Sequence, residues 1–255
     1  MNRISIDLNC DMGEAFGPWI MGKDSELLRY VSSASIACGF HAGDASTMRR
    51  TVEQALSAGA SIGAHPSYPD LQGFGRREMQ MTPTEVYDIT LYQVSALKGI
   101  CESLGARLSH VKPHGALYNV AERDAETARA IVEAVKSLDS SLAIYGLSGG
   151  LLTDIARKSG LNAIEEAFVD RSYESDGSLT PRIENGALHS DPDIASNQAL
   201  QLVKENSVMS RTGETVKIAV DTLCIHGDGP NAVEIAKSVR RRLDEAGIEV
   251  RSAVL

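Results

Sequence analysis

Six short polar motifs carry most of the side chains that could do chemistry. They are Asn9-Cys10-Asp11-Met12-Gly13-Glu14, Cys38-Gly39-Phe40-His41-Ala42-Gly43-Asp44, His65-Pro66-Ser67-Tyr68-Pro69-Asp70, Lys112-Pro113-His114-Gly115-Ala116-Leu117-Tyr118-Asn119, Asp170-Arg171-Ser172-Tyr173 and His226-Gly227-Asp228. Histidine beside carboxylate suits general acid–base work near neutral pH. The same residues suit a divalent metal that activates water, and Asp11, His41 and His65 would form one His₂Asp set. No HExxH or other fixed-spacing motif singles out a metal, so its presence is left open. Lys112, Arg171 and Arg182 are cations that could hold a carboxylate or a phosphate, the arginines bidentately. A single histidine is more often a structural residue than a functional one. Four of them (His41, His65, His114 and His226) gathered with Asp11, Glu14 and Asp228 reverse that preference, because clustered titratable groups are costly without a purpose.

Gathering residues so far apart requires a particular scaffold. Apolar, β-rich runs at residues 4–8, 34–38, 61–64, 108–112, 142–146, 163–169, 217–225 and 248–253 alternate with helical patterns, and the polar motifs come just after strand runs. Asp44 opens a helix with Met48, Val52, Ala55 and Leu56 as its stripe and Gly59 as its stop. Thr82-Pro83-Thr84-Glu85 is a capping box with proline at the first helical position, and Gly105 ends that helix. Asp191-Pro192 opens another, and the last long helix is expected to run from near Pro230 to Gly247. No strand run is followed by a two-residue hairpin turn, so repeated strand, helix, strand implies parallel pairing with right-handed crossovers. Seven or eight such units suit a closed α/β barrel, a (β/α)7-8 TIM-like architecture, better than an open doubly wound sheet. In such a barrel all C-terminal strand ends meet on one face, where active sites are built. His110 falls inside the fourth strand and His189 in a late loop. Long irregular stretches at residues 65–81 and 170–190 are candidate functional loops, and Arg76 and Arg77 read equally as part of a lid or as a solvated pair.

Composition narrows the function further. The 255 residues suit one barrel domain, and 34 acidic against 25 basic side chains give a net charge of −9. That balance argues against a general nucleic-acid binder. The N-terminus lacks a signal-type apolar core and no window approaches a membrane span, so a cytoplasmic protein is expected. GxGxxG after the first strand, GxxxxGK[ST] and GxSxG are all missing, which removes the usual dinucleotide, phosphate-loop and hydrolase-elbow readings. Ser148-Gly149-Gly150 opens a helix and could bind an anion, although a plain turn is the simpler reading. Cys10, Cys38, Cys101 and Cys224 contain no CxxC pair and read as small buried residues.

The strings DLNCDMGE, ACGFHAGD, GAHPSYPDLQGFGRR, VKPHGALYN, FVDRSYESDGSLTPR and CIHGD, in this order and spacing, resemble the LamB/YcsF family over essentially the whole chain. Ser35 stands where the family pattern is expected to carry asparagine. The resemblance implies the irregular (β/α) barrel of the glycoside hydrolase/deacetylase type. It also implies the A subunit of a 5-oxoprolinase, working with subunits B and C to open 5-oxo-L-proline to L-glutamate at the expense of ATP, with Mg²⁺ accompanying the nucleotide. Such a reaction needs a base for water, cations for anionic groups and a donor for the leaving nitrogen. Asp11 or His41, supported by Glu14, are then expected as base, and His65 and His114 as groups that polarise the carbonyl or protonate nitrogen. Lys112 and Arg171 would hold anions, and Asn9, Tyr118, Asn119, Asp170, His226 and Asp228 would complete the substrate side. Two other readings compete: a stand-alone metal-dependent deacetylase or amidohydrolase, and a non-catalytic subunit that binds the lactam and presents it to partners.

Overall fold

Strand β1 alternates Asp7, Leu8, Asn9, Cys10, Asp11 and Met12, and this period of two decides which way each side chain faces. In the computed structural model, which describes residues 4–229 and 231–254, Leu8, Cys10 and Met12 join the apolar layer between strands and helices. Asp7, Asn9 and Asp11 take the opposite face and enter the barrel lumen, where they meet residues from other strands.

The strands are β1 (Ser5–Met12), β2 (Ser33–Ala37), β3 (Ser61–His65), β4 (Leu108–Val111), β5 (Ala143–Leu147), β6 (Ala163–Phe168), β7 (Ser207–Met209), β8 (Thr215–Lys217), β9 (Thr222–Ile225) and β10 (Glu249–Val250). The helices are α1 (Asp24–Leu27), α2 (Ala45–Ala58), α3 (Pro83–Ser103), α4 (Gly115–Ala121), α5 (Ala125–Leu138), α6 (Leu151–Lys158), α7 (Pro192–Glu205) and α8 (Ala232–Glu245). β1 to β6 and β9 pair in parallel in the order β1-β2-β3-β4-β5-β6-β9. β9 then pairs with β1, from Asp7↔Thr222 to Cys10↔Ile225, and closes a seven-stranded barrel. β10 pairs with the start of β1 through Ser5↔Glu249 and Ile6↔Val250. The closed ring is the expected (β/α) barrel and excludes the open sheet.

The expected strand at 217–225 is divided. Lys217 turns back to pair with Ser207, so β7 and β8 form a short antiparallel ribbon. Val208 is its buried anchor, and Gly213 at φ +83° supplies the turn. Helix signals are followed more closely. Asp44 caps α2 by accepting from Ser46 and Thr47, and Gly59 ends it in the left-handed conformation. Leu56, expected in the α2 stripe, is exposed, because it lies one residue past Ala55 around the helix. The Thr82 capping box opens α3. The expected start of the last helix falls on Pro230, outside the described residues; α8 follows at Ala232.

The lumen is polar at its lower end. Asp7 accepts from Ser32, Ser33, Tyr145 and Thr222 at 2.6–3.0 Å. His110 stacks on Tyr145 at 4.1 Å and lies 3.2 Å from the Ser35 hydroxyl. Burial brings the His110 pKa down to about 3. A side chain at Gly63 has no room, since its Cβ would stand 2.0 Å from His110 Nε2. Gly63→Ala is therefore expected to overpack this layer and lower stability by about 1–3 kcal/mol, read from the urea midpoint.

Glu122 performs a structural task that its position in sequence conceals. Its carboxylate accepts from the Leu147 amide at the end of β5 and the Leu152 amide at the start of α6, at 3.1 and 3.4 Å. The Ser148-Gly149-Gly150 turn thus receives its anion from within the chain, helped by Glu165, which accepts from Gly149 at 2.7 Å. Burial raises the Glu122 pKa to about 7. A carboxyl raised in the folded state stabilises below its unfolded pKa and loses that contribution as pH climbs through about 7. The stability of the native chain relative to Glu122→Gln should fall by up to ~2–3 kcal/mol between about pH 5 and about pH 8, measured by urea denaturation at each pH.

Candidate active site

The loops that follow β1, β2, β3 and β4 interlock before any side-chain chemistry is considered. Asp24 accepts from Gly13 at 2.8 Å, and Asp44 accepts from Gly17 at 2.9 Å, tying the β1 loop to both neighbouring helices. The His114 amide donates to the Pro66 carbonyl, and the Ala116 amide to the Gly75 carbonyl, both at 2.8 Å. Gly115, at φ +57°, permits that approach; a Cβ there would lie 2.6 Å from the Gly75 oxygen. Phe74 sits at φ +55°, an uncommon conformation for a bulky residue, and its ring stands edge-on to His41 and His114 at 5.5 and 5.1 Å.

These loops bring His41, His65 and His114 together. His41 and His114 stack 3.8 Å apart and nearly parallel, with His65 edge-on to both. His65 Nδ1 lies 2.6 Å from the Lys112 carbonyl, and His114 Nε2 lies 2.8 Å from the Phe74 carbonyl. A carbonyl only accepts, so both of these nitrogens carry the proton. The two remaining nitrogens, His65 Nε2 and His114 Nδ1, face each other at 2.9 Å. Glu14 Oε1 stands 3.5 Å from His41 Nε2 and 3.6 Å from His114 Nδ1. Glu14 Oε1 and both His41 nitrogens are buried without a hydrogen-bond partner. Burial, then the charges of Asp11 and Asp228, pushes the Glu14 carboxyl well up. Burial followed by neighbouring imidazoles pushes His41 and His114 well down.

Below this group lies a buried ion cluster. Lys112 Nζ is 2.7 Å from Asp11 Oδ1 and 2.9 Å from both Glu166 Oε1 and Asn9 Oδ1. The Asp11 contact is ionic and off the hydrogen-bonding direction. Asp11 Oδ2 lies 3.3 Å from His65 Nε2. Burial alone would raise the Asp11 pKa, but His65 and Lys112 hold it well below the usual range. Burial would likewise lower the Lys112 pKa, but Asp11, Cys224 and Glu166 hold the ammonium well above it. The Asn9 amide is fully engaged, donating to Glu166 at 3.0 Å and Thr222 at 2.8 Å.

The other side of the mouth is built from the β6 and β9 ends. His226 Nδ1 lies 2.9 Å from Asp170 Oδ1, and its ring stacks on Phe168 at 5.5 Å. Tyr118 stands edge-on to Phe168, with its hydroxyl buried, unpartnered and beside Glu166. Arg171 is buried and donates to the Thr180 carbonyl, while its Nε has no partner. Burial and the nearby Arg182 bring the Arg171 pKa down to about 10. Asp228 pairs with Arg76 at 2.6 Å, across the mouth from the β9 loop to the β3 loop, and Arg76 also lies 4.9 Å from the Phe74 ring centre. Arg77 pairs instead with Asp70. Asn119 is exposed on α4 and stands apart from this group.

Glu14, His41, His65 and His114 offer ligating atoms within 4.8 Å of one another, and Asp11, Cys224 and His226 do the same. The first group differs from the expected Asp11, His41 and His65 set in having Glu14 and His114 in place of Asp11, although Asp11 Oδ2 stays 3.3 Å from His65 Nε2 while its Oδ1 meets Lys112. All four cysteines are buried and unpaired, as expected.

The LamB/YcsF family model matches residues 6–254. This chain belongs to the LamB/YcsF family. Among its relatives, the 5-oxoprolinase A subunit of Bordetella pertussis is 55% identical over 98% of this chain and 99% of its own length. The protein of the same name from Bacillus subtilis is 49% identical over 96% and 95%. The solved structure of a lactam utilization protein from Thermus thermophilus is 47% identical and superposes with a TM-score of 0.93, covering 97% of this chain and 99% of that one. A putative cellobiose-phosphate cleavage protein from Enterococcus faecalis, 14% identical with a TM-score of 0.60, shares the fold.

Glu166 is the site residue that the reading by motif misses. It lies within an apolar strand run rather than after one, and the signal was a glutamate on the inward register of Ala163-Ile164-Glu165-Glu166-Ala167-Phe168. Its side chain is fully buried and completes the Lys112 cluster. Removing the ammonium with Lys112→Met would strand the Asp11 and Glu166 charges, and should destabilise the protein by about 3–5 kcal/mol in equilibrium unfolding.

Proposed function

We propose that this chain is the A subunit of a 5-oxoprolinase, acting with subunits B and C to open the lactam of 5-oxo-L-proline to L-glutamate with hydrolysis of ATP. The observation that carries the reading is the convergence of Asp11, Glu14, His41, His65 and His114 on one barrel mouth, in a chain about half identical to proteins named for that activity. A lactam is an unactivated amide, so water attacks it slowly. Phosphorylation of the amide oxygen by ATP, with ADP leaving, would make the ring carbon a better electrophile for water, and the carbon–nitrogen bond would break only after water has added. The chain's own residues would then supply three services. Asp11, kept ionised by Lys112, takes a proton from water, with Glu14 at its side. His65 and His114 border the reacting carbonyl and hold it in place, their N–H groups engaged by backbone carbonyls and their free nitrogens turned toward each other. His226, oriented by Asp170, gives a proton to the departing nitrogen.

Arg171, with a buried and unpartnered Nε, is the cation best placed to receive the substrate carboxylate. Lys112 serves the site indirectly, because its ammonium is already engaged by Asn9, Glu166 and Asp11. Tyr118 and Phe168 offer an apolar wall for the ring methylenes. Asp228 belongs to the outer rim of this substrate side, and Asn119 does not. Nucleotide binding with Mg²⁺ is assigned to the assembled complex. The glycine turn at α6 is the one sequence feature here that could have cradled phosphate, and it holds Glu122.

The rival reading, a stand-alone metal-dependent amidohydrolase, draws on the His/Glu cluster and predicts amide hydrolysis without ATP. Co-expression of this chain with subunits B and C separates the two. Glutamate release from 5-oxoproline should require ATP and all three subunits, and Asp11→Asn or His226→Asn should each lower turnover by at least about 100-fold. ATP-independent turnover by the isolated chain would reject the proposal, and so would full activity of both variants in the complex.

A further inference from the structure

The two imidazole nitrogens that face each other at 2.9 Å pose a definite chemical problem. His65 Nδ1 and His114 Nε2 each donate to a backbone carbonyl. With both rings neutral, His65 Nε2 and His114 Nδ1 are therefore bare lone pairs aimed at one another, an arrangement that repels unless a cation lies between or beside them. The same corner contains more unpartnered polar atoms. Glu14 is 6% exposed, and its Oε1 has no hydrogen-bond partner. His41 is 1% exposed and neither ring nitrogen has one. Each buried polar atom left unpaired is costly, and native interiors rarely tolerate several together.

We propose that His65 Nε2, His114 Nδ1 and Glu14 Oε1 bind a divalent transition-metal ion, with His41 Nε2 as a fourth protein ligand within reach. The separations support this. The close pairs are 2.9, 3.5 and 3.6 Å apart, and all four ligating atoms lie within 4.8 Å. Ligands about 2.0–2.1 Å from a tetrahedral ion stand about 3.3 Å from each other. The outer hydrogen bonds also support it. Metal-bound histidines commonly donate their other N–H to a carbonyl or carboxylate, which fixes ring orientation, and His65 and His114 both do so here. Three imidazoles and one carboxylate select ions such as Zn²⁺, Co²⁺ or Mn²⁺ over Mg²⁺ and Ca²⁺, which prefer oxygen. Loop closure completes the enclosure, because Phe74 and Gly75 pack directly over His41 and His114.

The proposal stands on the geometry of these residues and not on the lactam reading. Under that reading, the ion would occupy the place where the substrate carbonyl is polarised.

The test uses the purified full-length chain, stripped with a chelator and then titrated with Co²⁺ and with Zn²⁺. The expected result is one ion per chain by elemental analysis, with Co²⁺ giving ligand-field bands in the visible. Loss of an outer partner typically weakens a site 10–100-fold, so His114→Ala and Glu14→Gln should each weaken binding by more than about 100-fold. His189→Ala, in the loop before α7, should bind like the native chain. Circular dichroism of each stripped variant separates lost binding from lost folding; where His114→Ala fails to fold, Glu14→Gln decides. Absence of stoichiometric binding, or binding that Glu14→Gln leaves unchanged, would overturn the proposal. So would a low-field proton resonance shared between His65 and His114 that persists when metal is added, since a proton would then be the cation.

Discussion

The buried ammonium of Lys112 is the interaction on which the rest of the site depends. It is 2% exposed, and acceptors from three different strands converge on it: Asn9 and Asp11 from β1, Glu166 from β6, and Cys224 from β9 at 3.3 Å. Two carboxylates could not share this lumen without a positive charge between them, because desolvation and mutual repulsion would neutralise one of them. The ammonium therefore does two things. It pins the strand ends to a common point, and it keeps Asp11 ionised directly beneath His65. The backbone carbonyl of the same residue holds His65 Nδ1, so Lys112 sets both the charge below the histidine group and the orientation of one of its rings.

The barrel itself inverts the usual division of polarity. Strands of a closed parallel barrel bury both faces, and the inner face is commonly filled with branched apolar residues. Here the inner positions of β1 are Asp7, Asn9 and Asp11, and they meet serine, threonine, tyrosine, lysine and glutamate from other strands. Such a lumen is stable only when nearly every polar atom has a partner. Asp7 meets that condition with four hydroxyl donors. The unpartnered atoms of Glu14, His41, Tyr118 and Arg171, by contrast, lie toward the mouth. Satisfied polarity at the base and unsatisfied polarity at the top separate the scaffold from the site.

Loops after β1, β2, β3 and β4 reach this arrangement by gripping one another rather than by packing a core of their own. Aspartates accept backbone amides of neighbouring loops, and carbonyls of the β3 loop take both an amide and a ring N–H from the β4 loop. Gly75 and Gly115 permit contacts that any side chain would block. The Arg76–Asp228 pair then joins loops on opposite sides of the opening, so the mouth is spanned by charge.

Much of this was legible in the chain itself, for physical reasons. Strand and helix alternation, capping residues and the placement of polar motifs after strand runs are local signals, and they sufficed to expect a closed barrel with His41, His65, His114 and Asp11 at one mouth. The alternation Asp7, Asn9, Asp11 even marks the inward face of β1. Other features depended on partners distant in sequence. Glu166 looks like an ordinary acid in a strand until Lys112 arrives from β4. Glu122 looks like a helix-end acid until α6 presents its amides. The ribbon of β7 and β8 is too short to be recognised without its pairing, and Asn119 sits in a functional motif yet turns to solvent. Residue type and spacing determined which groups would share the mouth. Only the tertiary structure decided which nitrogen faces which, because proton positions on histidine are set by the carbonyl each ring meets, and those carbonyls come from other loops.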